Sequence, residues 1–127
     1  MSKRILSVGG NEAMNYLLHT IFKREYNLVP LKDVYEAIYQ LKTSNHTDLM
    51  IVDVDFQAKQ NWELIQHVKT SKMLNLPVIV LATNKTDEVE KNCYEYNVDE
   101  IFFKPFNPMD LILAVKTTTS NISFVDA

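Results

Sequence analysis

Asp48-Leu49-Met50-Ile51-Val52-Asp53 decides the fold. Four apolar residues run unbroken between two aspartates. Such a run reads as a strand, and with no polar alternate position both of its faces must be covered. A strand buried on both sides belongs to a parallel sheet with helices packed above and below. Outward from this run the unit repeats. Ile5-Leu6-Ser7-Val8, Tyr26 to Leu31, Val78-Ile79-Val80-Leu81 after Pro77, and Ile101-Phe102-Phe103 read as four more strands. Between them apolar residues recur at helical spacing. The first set is Met14, Leu17, Leu18, Ile21 and Phe22, with Asn11 as N-cap. Val34, Ala37, Ile38 and Leu41 follow, then Trp62, Leu64, Ile65 and Val68. A fourth helix, about Thr86 to Tyr96, shows only Val89, Cys93 and Tyr96 as a stripe. Leu111, Ile112, Val115 and Ile122 mark a fifth after Pro108. The pattern is β-α five times, which predicts a three-layer (βα)5 doubly wound α/β domain with right-handed crossovers.

Composition bounds the function. The 127 residues suit one domain, with 46% hydrophobic and 23% charged residues. A formal charge of −3 gives no electrostatic case for nucleic acid or an anionic membrane as partner. No apolar run approaches a bilayer span, and the stretch after Met1-Ser2-Lys3-Arg4 is too short for a signal-peptide core. Cys93 is the single cysteine, so no intrachain disulfide can form, and the cytoplasm is the expected compartment. There is no repeat, low-complexity tract or linker.

In doubly wound sheets the site lies beyond the carboxyl ends of the strands. The residues there are Gly9-Gly10, Asp53 with Asp55, Ala82-Thr83 and Lys104-Pro105. Two readings of Asp53 stand. Held rigid at a strand tip with its carboxylate facing solvent, it is suited to accept a phosphoryl group; otherwise it caps the next helix. Lys104 either neutralises phosphoryl oxygens or pairs with Asp53, or is a solvated lysine beside a turn proline.

Taken together, these pieces resemble the receiver domain of bacterial two-component response regulators, over about residues 3 to 121. Asp48 to Asp53 is similar to that family's phosphoacceptor strand, Pro77-Val78-Ile79-Val80-Leu81 to its fourth strand, and Lys104-Pro105-Phe106 to its lysine motif. The resemblance implies a flavodoxin-like strand order 2-1-3-4-5, a cis Lys104–Pro105 bond, and a signalling partner such as a histidine kinase or another two-component protein. It also implies a face of helix 4, strand 5 and helix 5 for partner contact or homodimerisation. Tyr94, Tyr96, Phe102 and Phe103 cluster near it, either as interface anchors or as packing. The domain is placed at residues 1–121, with 122–127 as a C-terminal tail.

Departures from the family pattern bear on the chemistry. The two acidic residues that help hold Mg2+ at the end of the first strand are here Gly9 and Gly10, the only glycines in the chain. The switch Ser/Thr falls at Ala82; Thr83 is one residue late and, by strand alternation, is expected to point elsewhere. The switch aromatic falls at Ile101, with Phe102 displaced to the other face. A Pro-Gly turn becomes Gln57-Ala58, and a later Gly becomes Asn61. Phosphoryl transfer rests on cations that neutralise the moving oxygens, and Mg2+ is held by one or two carboxylates with waters. Only Asp53 matches as a ligand; Asp55 is either a second ligand or a solvated loop carboxylate. The expectation is a pseudo-receiver with no cofactor that acts by binding a protein and is not an enzyme.

Two rivals stand beside it. One is a working phosphoacceptor on Asp53, distinguished by Mg2+ dependence. The other is a flavodoxin-like ligand-binding module, against which stands the lack of a Gly/Ser/Thr-rich phosphate loop. Gly9-Gly10 serves either as a tight turn into the first helix or as an anion-binding pair of N–H groups at its N-terminus; it lacks the G-x-G-x-x-G pattern. His19, His46 and His67 lack metal-ligand spacing, Cys93 reads as a small apolar group, and Ser7 and Ser44 lack a nucleophile elbow.

Overall fold

The computed structural model describes residues 2–43, 46–71 and 74–120. Ten elements alternate: β1 (Lys3–Val8), α1 (Glu12–Phe22), β2 (Tyr26–Leu31), α2 (Val34–Thr43), β3 (Leu49–Asp53), α3 (Ala58–Thr70), β4 (Val78–Ala82), α4 (Asp87–Glu95), β5 (Glu100–Phe103) and α5 (Pro108–Thr119). All four strand pairings are parallel and the sheet order is β2-β1-β3-β4-β5, as the resemblance implied. Ser44, Ile122 and the tail at 122–127 lie outside the described residues.

The uninterrupted apolar runs explain the layering. Every residue of β3 and of β4 is buried. Their side chains alternate between two cores. Leu6, Val8, Met50, Val52, Val78 and Val80 pack with Ala37 of α2 and Trp62, Leu64, Ile65 and Val68 of α3. Ile5, Leu49, Ile51, Ile79 and Leu81 pack with Leu18 and Phe22 of α1 and Leu111 and Val115 of α5. Each fully buried aliphatic side chain of this kind contributes about 1.5–3 kcal/mol. Ile101 and Phe103 join the first core and Phe102 the second, so the one-residue displacement of the aromatic puts it across the sheet.

The helix ends follow local chemistry. Asn11 Oδ1 accepts the Met14 N–H at 2.8 Å and caps α1. Asp33 caps α2 by accepting from Tyr35 and Glu36, and Thr86 caps α4 through the Val89 N–H. Helix α4 has no buried residue. Its thin apolar stripe leans on the first core through Val89 and Cys93, while Tyr96 just beyond it packs against Trp62, ring centres 6.2 Å apart and planes tilted by 50°.

Candidate functional site

The carboxyl ends of β3, β4 and β5 are pinned together. The Val54 N–H donates to Leu81 O at 3.0 Å and the Lys104 N–H to Ala82 O at 2.8 Å, so the ladders run one residue past the strands. Lys104 therefore leaves the sheet edge two strands from Asp53, near enough for its long side chain to reach back. Lys104–Pro105 is cis.

Lys104 Nζ bridges two carboxylates, meeting Asp53 Oδ2 at 2.5 Å and Asp55 Oδ2 at 2.8 Å. Asp53 is only 2% exposed. The expectation that its carboxylate faces solvent is thus corrected: Lys104 covers it. Nor does Asp53 cap α3, whose N-cap is Gln57, without a side-chain bond. Instead Asp53 Oδ1 accepts the Asp55 N–H at 3.0 Å, folding the loop back on itself.

Thr83 needs the second correction. It lies one residue past β4, where strand alternation no longer dictates direction. Its N–H donates to Asp55 Oδ1 at 2.8 Å and its hydroxyl to Asp55 Oδ2 at 2.6 Å. Thr83 thus belongs to the cluster, although it serves Asp55 and not Asp53. All four carboxylate oxygens of Asp53 and Asp55 accept from protein donors.

Protonation follows from these contacts. Burial works against ionisation of Asp55, but the bonds from Lys104 and Thr83 outweigh it and hold the carboxyl below its usual value. Burial likewise works against the Lys104 ammonium, but hydrogen bonds and charge from Asp53 and Asp55 outweigh it and push Lys104 upward. The Asp55 carboxylate and the Lys104 ammonium therefore stay ionised through neutral pH.

Gly9 and Gly10 follow β1 on the other side of Asp53. Gly9 has φ 85°, a left-handed turn that suits glycine, in line with the tight-turn reading. Its N–H donates to Leu31 O at 3.2 Å, so the anion-binding alternative loses one of its two donors. An open groove of about 610 Å3 lies beside the turn, walled by Lys32, Asp33, Phe56 and Gln57. Among the described residues no group of three or more His, Cys, Asp or Glu is placed to hold a metal ion. Ala82 ends β4 buried. His19 and His67 are exposed, and His46 pairs with Asp48 at 2.9 Å, away from the site.

Asn61 is the residue whose part the sequence reading missed. It sits in the first turns of α3, 1% exposed, and its Nδ2 donates to the Asp53 and Phe56 carbonyls. A signal was available: Asn61, Ile65 and Val68 share helical spacing, so the asparagine is the polar member of a buried stripe.

Comparison with known proteins bears on this arrangement. The family described as the response regulator receiver domain matches residues 5–116. The chain is 25% identical over 125 residues to the phosphate regulon transcriptional regulatory protein PhoB of Escherichia coli, covering 97% of this chain and 54% of that protein. It is 25% identical over 118 residues to the regulatory protein VanRc of Enterococcus gallinarum, covering 92% and 50%. The chain thus spans about half the length of the curated relatives it matches. A response regulator from Thermotoga maritima superposes with a TM-score of 0.82 at 21% identity, covering 95% of this chain and all of that one. With five strands in the order 2-1-3-4-5, and with the Asp53–Lys104 pair at their carboxyl ends, the chain belongs to the response regulator receiver domain family.

Proposed function

We propose that this domain is a degenerate receiver that signals by binding a protein, without metal-assisted phosphorylation of Asp53. One observation carries the reading: each oxygen of the Asp53–Asp55 pair already accepts from Lys104, Thr83 or the loop backbone. Glycines stand at both positions after β1 where a typical receiver has metal-binding acids. Mg2+ requires oxygen ligands in near-ideal octahedral array and usually takes one or two carboxylates. Here Asp53 and Asp55 already share the Lys104 cation, and among the described residues no third acid joins them, so the residues present do not fit the ion. Ala82 offers no hydroxyl to a phosphoryl group on Asp53, and the Thr83 hydroxyl is spent on Asp55.

The partner in this reading is a histidine kinase or another two-component protein in the cytoplasm, and the domain has no catalytic role of its own. Tyr94 on α4, 86% exposed, with Met109 and Leu113 on α5, gives the α4–β5–α5 side apolar anchors for that partner or for a second copy. The net charge of −3 does not favour nucleic acid.

A second reading, a working phosphoacceptor, draws on the intact Asp53–Lys104 pair. Intact-mass spectrometry after incubation with acetyl phosphate, with and without Mg2+ and beside Asp53→Asn, separates the two. The degenerate reading expects no adduct from folded protein. A Mg2+-dependent phosphoryl adduct that disappears in Asp53→Asn overturns it.

A further inference from the structure

Asn61 and Gly9 meet over the main chain of Asp53. The β1–β3 register ends at Val8 and Val52, so the Asp53 carbonyl lies one residue beyond it. Asn61 Nδ2 donates to that carbonyl at 2.9 Å and to the Phe56 carbonyl at 2.9 Å. One amide thereby ties both ends of the segment that carries Asp53 and Asp55. Asn61 Oδ1 is buried and has no protein donor among the described residues. A buried acceptor left unmet is costly, and an apolar side chain of that size would avoid the cost. What the amide contributes is therefore the pair of bonds made by Nδ2.

Gly9 is the other half of this contact. A Cβ built on Gly9 would stand 2.9 Å from Asp53 O and 3.0 Å from Asn61 Nδ2, the same two atoms that bond to each other. Real Cβ atoms essentially never approach backbone so closely, and φ 85° adds strain for any L side chain. We infer that Asn61 is a positioning residue for Asp53, and that its amide and a side chain at position 9 exclude each other.

This deepens the degenerate-receiver reading and rests on it for its meaning. The missing carboxylate after β1 and the amide on α3 become one coupled change. Adding an acid at position 9 cannot by itself rebuild a divalent site, because Asn61 Nδ2 and the Asp53 carbonyl that it holds already occupy the space.

Two measurements on the whole chain test it. The first is a double-mutant cycle of Gly9→Ala with Asn61→Gly, read as unfolding constants in urea. Gly9→Ala is expected to raise the unfolding constant by about tenfold more in the native background than in Asn61→Gly. The same factor in both backgrounds overturns the coupling. The second is Mn2+ titration of Gly9→Asp and of Gly9→Asp/Asn61→Gly, a readout that a purely structural role for Asn61 would not move. The double variant is expected to bind Mn2+ about tenfold more tightly than Gly9→Asp. Equal affinity, or equal lack of binding, overturns the exclusion. If Gly9→Asp does not fold, the alanine cycle decides alone. Neither measurement uses a phosphodonor, so failure here is distinct from failure of the degenerate reading, which the mass experiment judges.

Discussion

Replacing Lys104 with methionine isolates what the ammonium does. The side chain keeps its length and loses its charge, leaving Asp53 and Asp55 to face each other. Asp53 has a side chain 3% exposed and retains only the Asp55 N–H on Oδ1. Asp55, 22% exposed, keeps both Thr83 bonds and some water. Removing one partner of a buried pair costs about 3–5 kcal/mol, because an uncompensated charge stays behind. Lys104 is itself 18% exposed, which admits water once the cation is gone and favours the lower end, about 3 kcal/mol. With a urea slope of about 1.5–2 kcal/mol/M for a domain of this size, the unfolding midpoint at pH 7 falls by about 1.5–2 M.

The pH dependence gives the sharper test. In the native chain the Asp55 carboxyl is held below 3.8, so its contribution is complete above that value and is lost as pH falls through the lowered folded value. Lys104 is held above 10.5, so its contribution is complete below that value and is lost as pH rises through the raised folded value. Between these limits the native cluster gives a flat stability profile. In Lys104→Met the Asp55 carboxylate has lost the cation that held it down, and its folded pKa rises. Protonation then favours the folded form, and the gap to the native chain narrows between about pH 7 and about pH 5. Adding Asp53→Asn to Lys104→Met should recover a large part of the loss. A midpoint shift under about 0.3 M, or a gap that widens on acidification, would refute the idea that Lys104 neutralises the Asp53–Asp55 pair.

Thr83→Val removes the hydroxyl but keeps the backbone N–H. It should cost about 0.5–1.5 kcal/mol and move the Asp55 carboxyl upward in a carbon-detected NMR titration, and an unmoved Asp55 would remove Thr83 from the cluster. Leu81→Ala opens the second core at a fully buried site and should cost about 2–5 kcal/mol by urea unfolding, so a loss under about 1 kcal/mol would mean that this layer is loosely packed. Cys93 is pushed up to about 11, first by burial and then by Glu90, so iodoacetamide at about pH 8 should label it far more slowly in the folded chain than in urea; equal rates would place the thiol in the open. Tyr94→Glu, at the most exposed aromatic among the described residues, should leave stability within about 0.5 kcal/mol while weakening any self-association seen by sedimentation, and no change in association would move the contact elsewhere.

The fold was legible because burial on both faces leaves a signature that tertiary context does not override. Four consecutive apolar residues between Asp48 and Asp53 have one comfortable home, the middle of a covered parallel sheet, and β3 takes the residues read for it. The two main partners of the site were legible for a related reason: a strand tip fixes where its next residue stands, so Asp53 and Lys104 had to project from the same edge of the sheet. What was not legible lies past the strand ends. There the period of two lapses, and Thr83 turns to Asp55 because the loop presents a carboxylate, which no alternation rule encodes. The burial of Asp53 was also hidden, since it depends on a lysine 51 residues away folding over it.

The same limit explains why the glycines look like a simple loss in sequence and like half of an exchange in space. Read along the chain, Gly9 and Gly10 are two acids missing, and Asn61 is an unrelated substitution more than fifty residues on. In three dimensions Asn61 Nδ2 and the Asp53 carbonyl occupy the volume that a side chain at position 9 would need. The two consequences differ in what they permit. If acids had only been lost, restoring one would restore a metal ligand. If, as inferred above, Asn61 and the Asp53 carbonyl to which it bonds fill that volume, an acid restored at position 9 must shift both. On this view the aspartate is kept rigid by three internal devices, the Lys104 bridge, the Asp55–Thr83 clamp and the Asn61 brace. A site braced from three sides is suited to present one fixed surface to a partner, and ill suited to a switch that must rearrange when a phosphoryl group arrives.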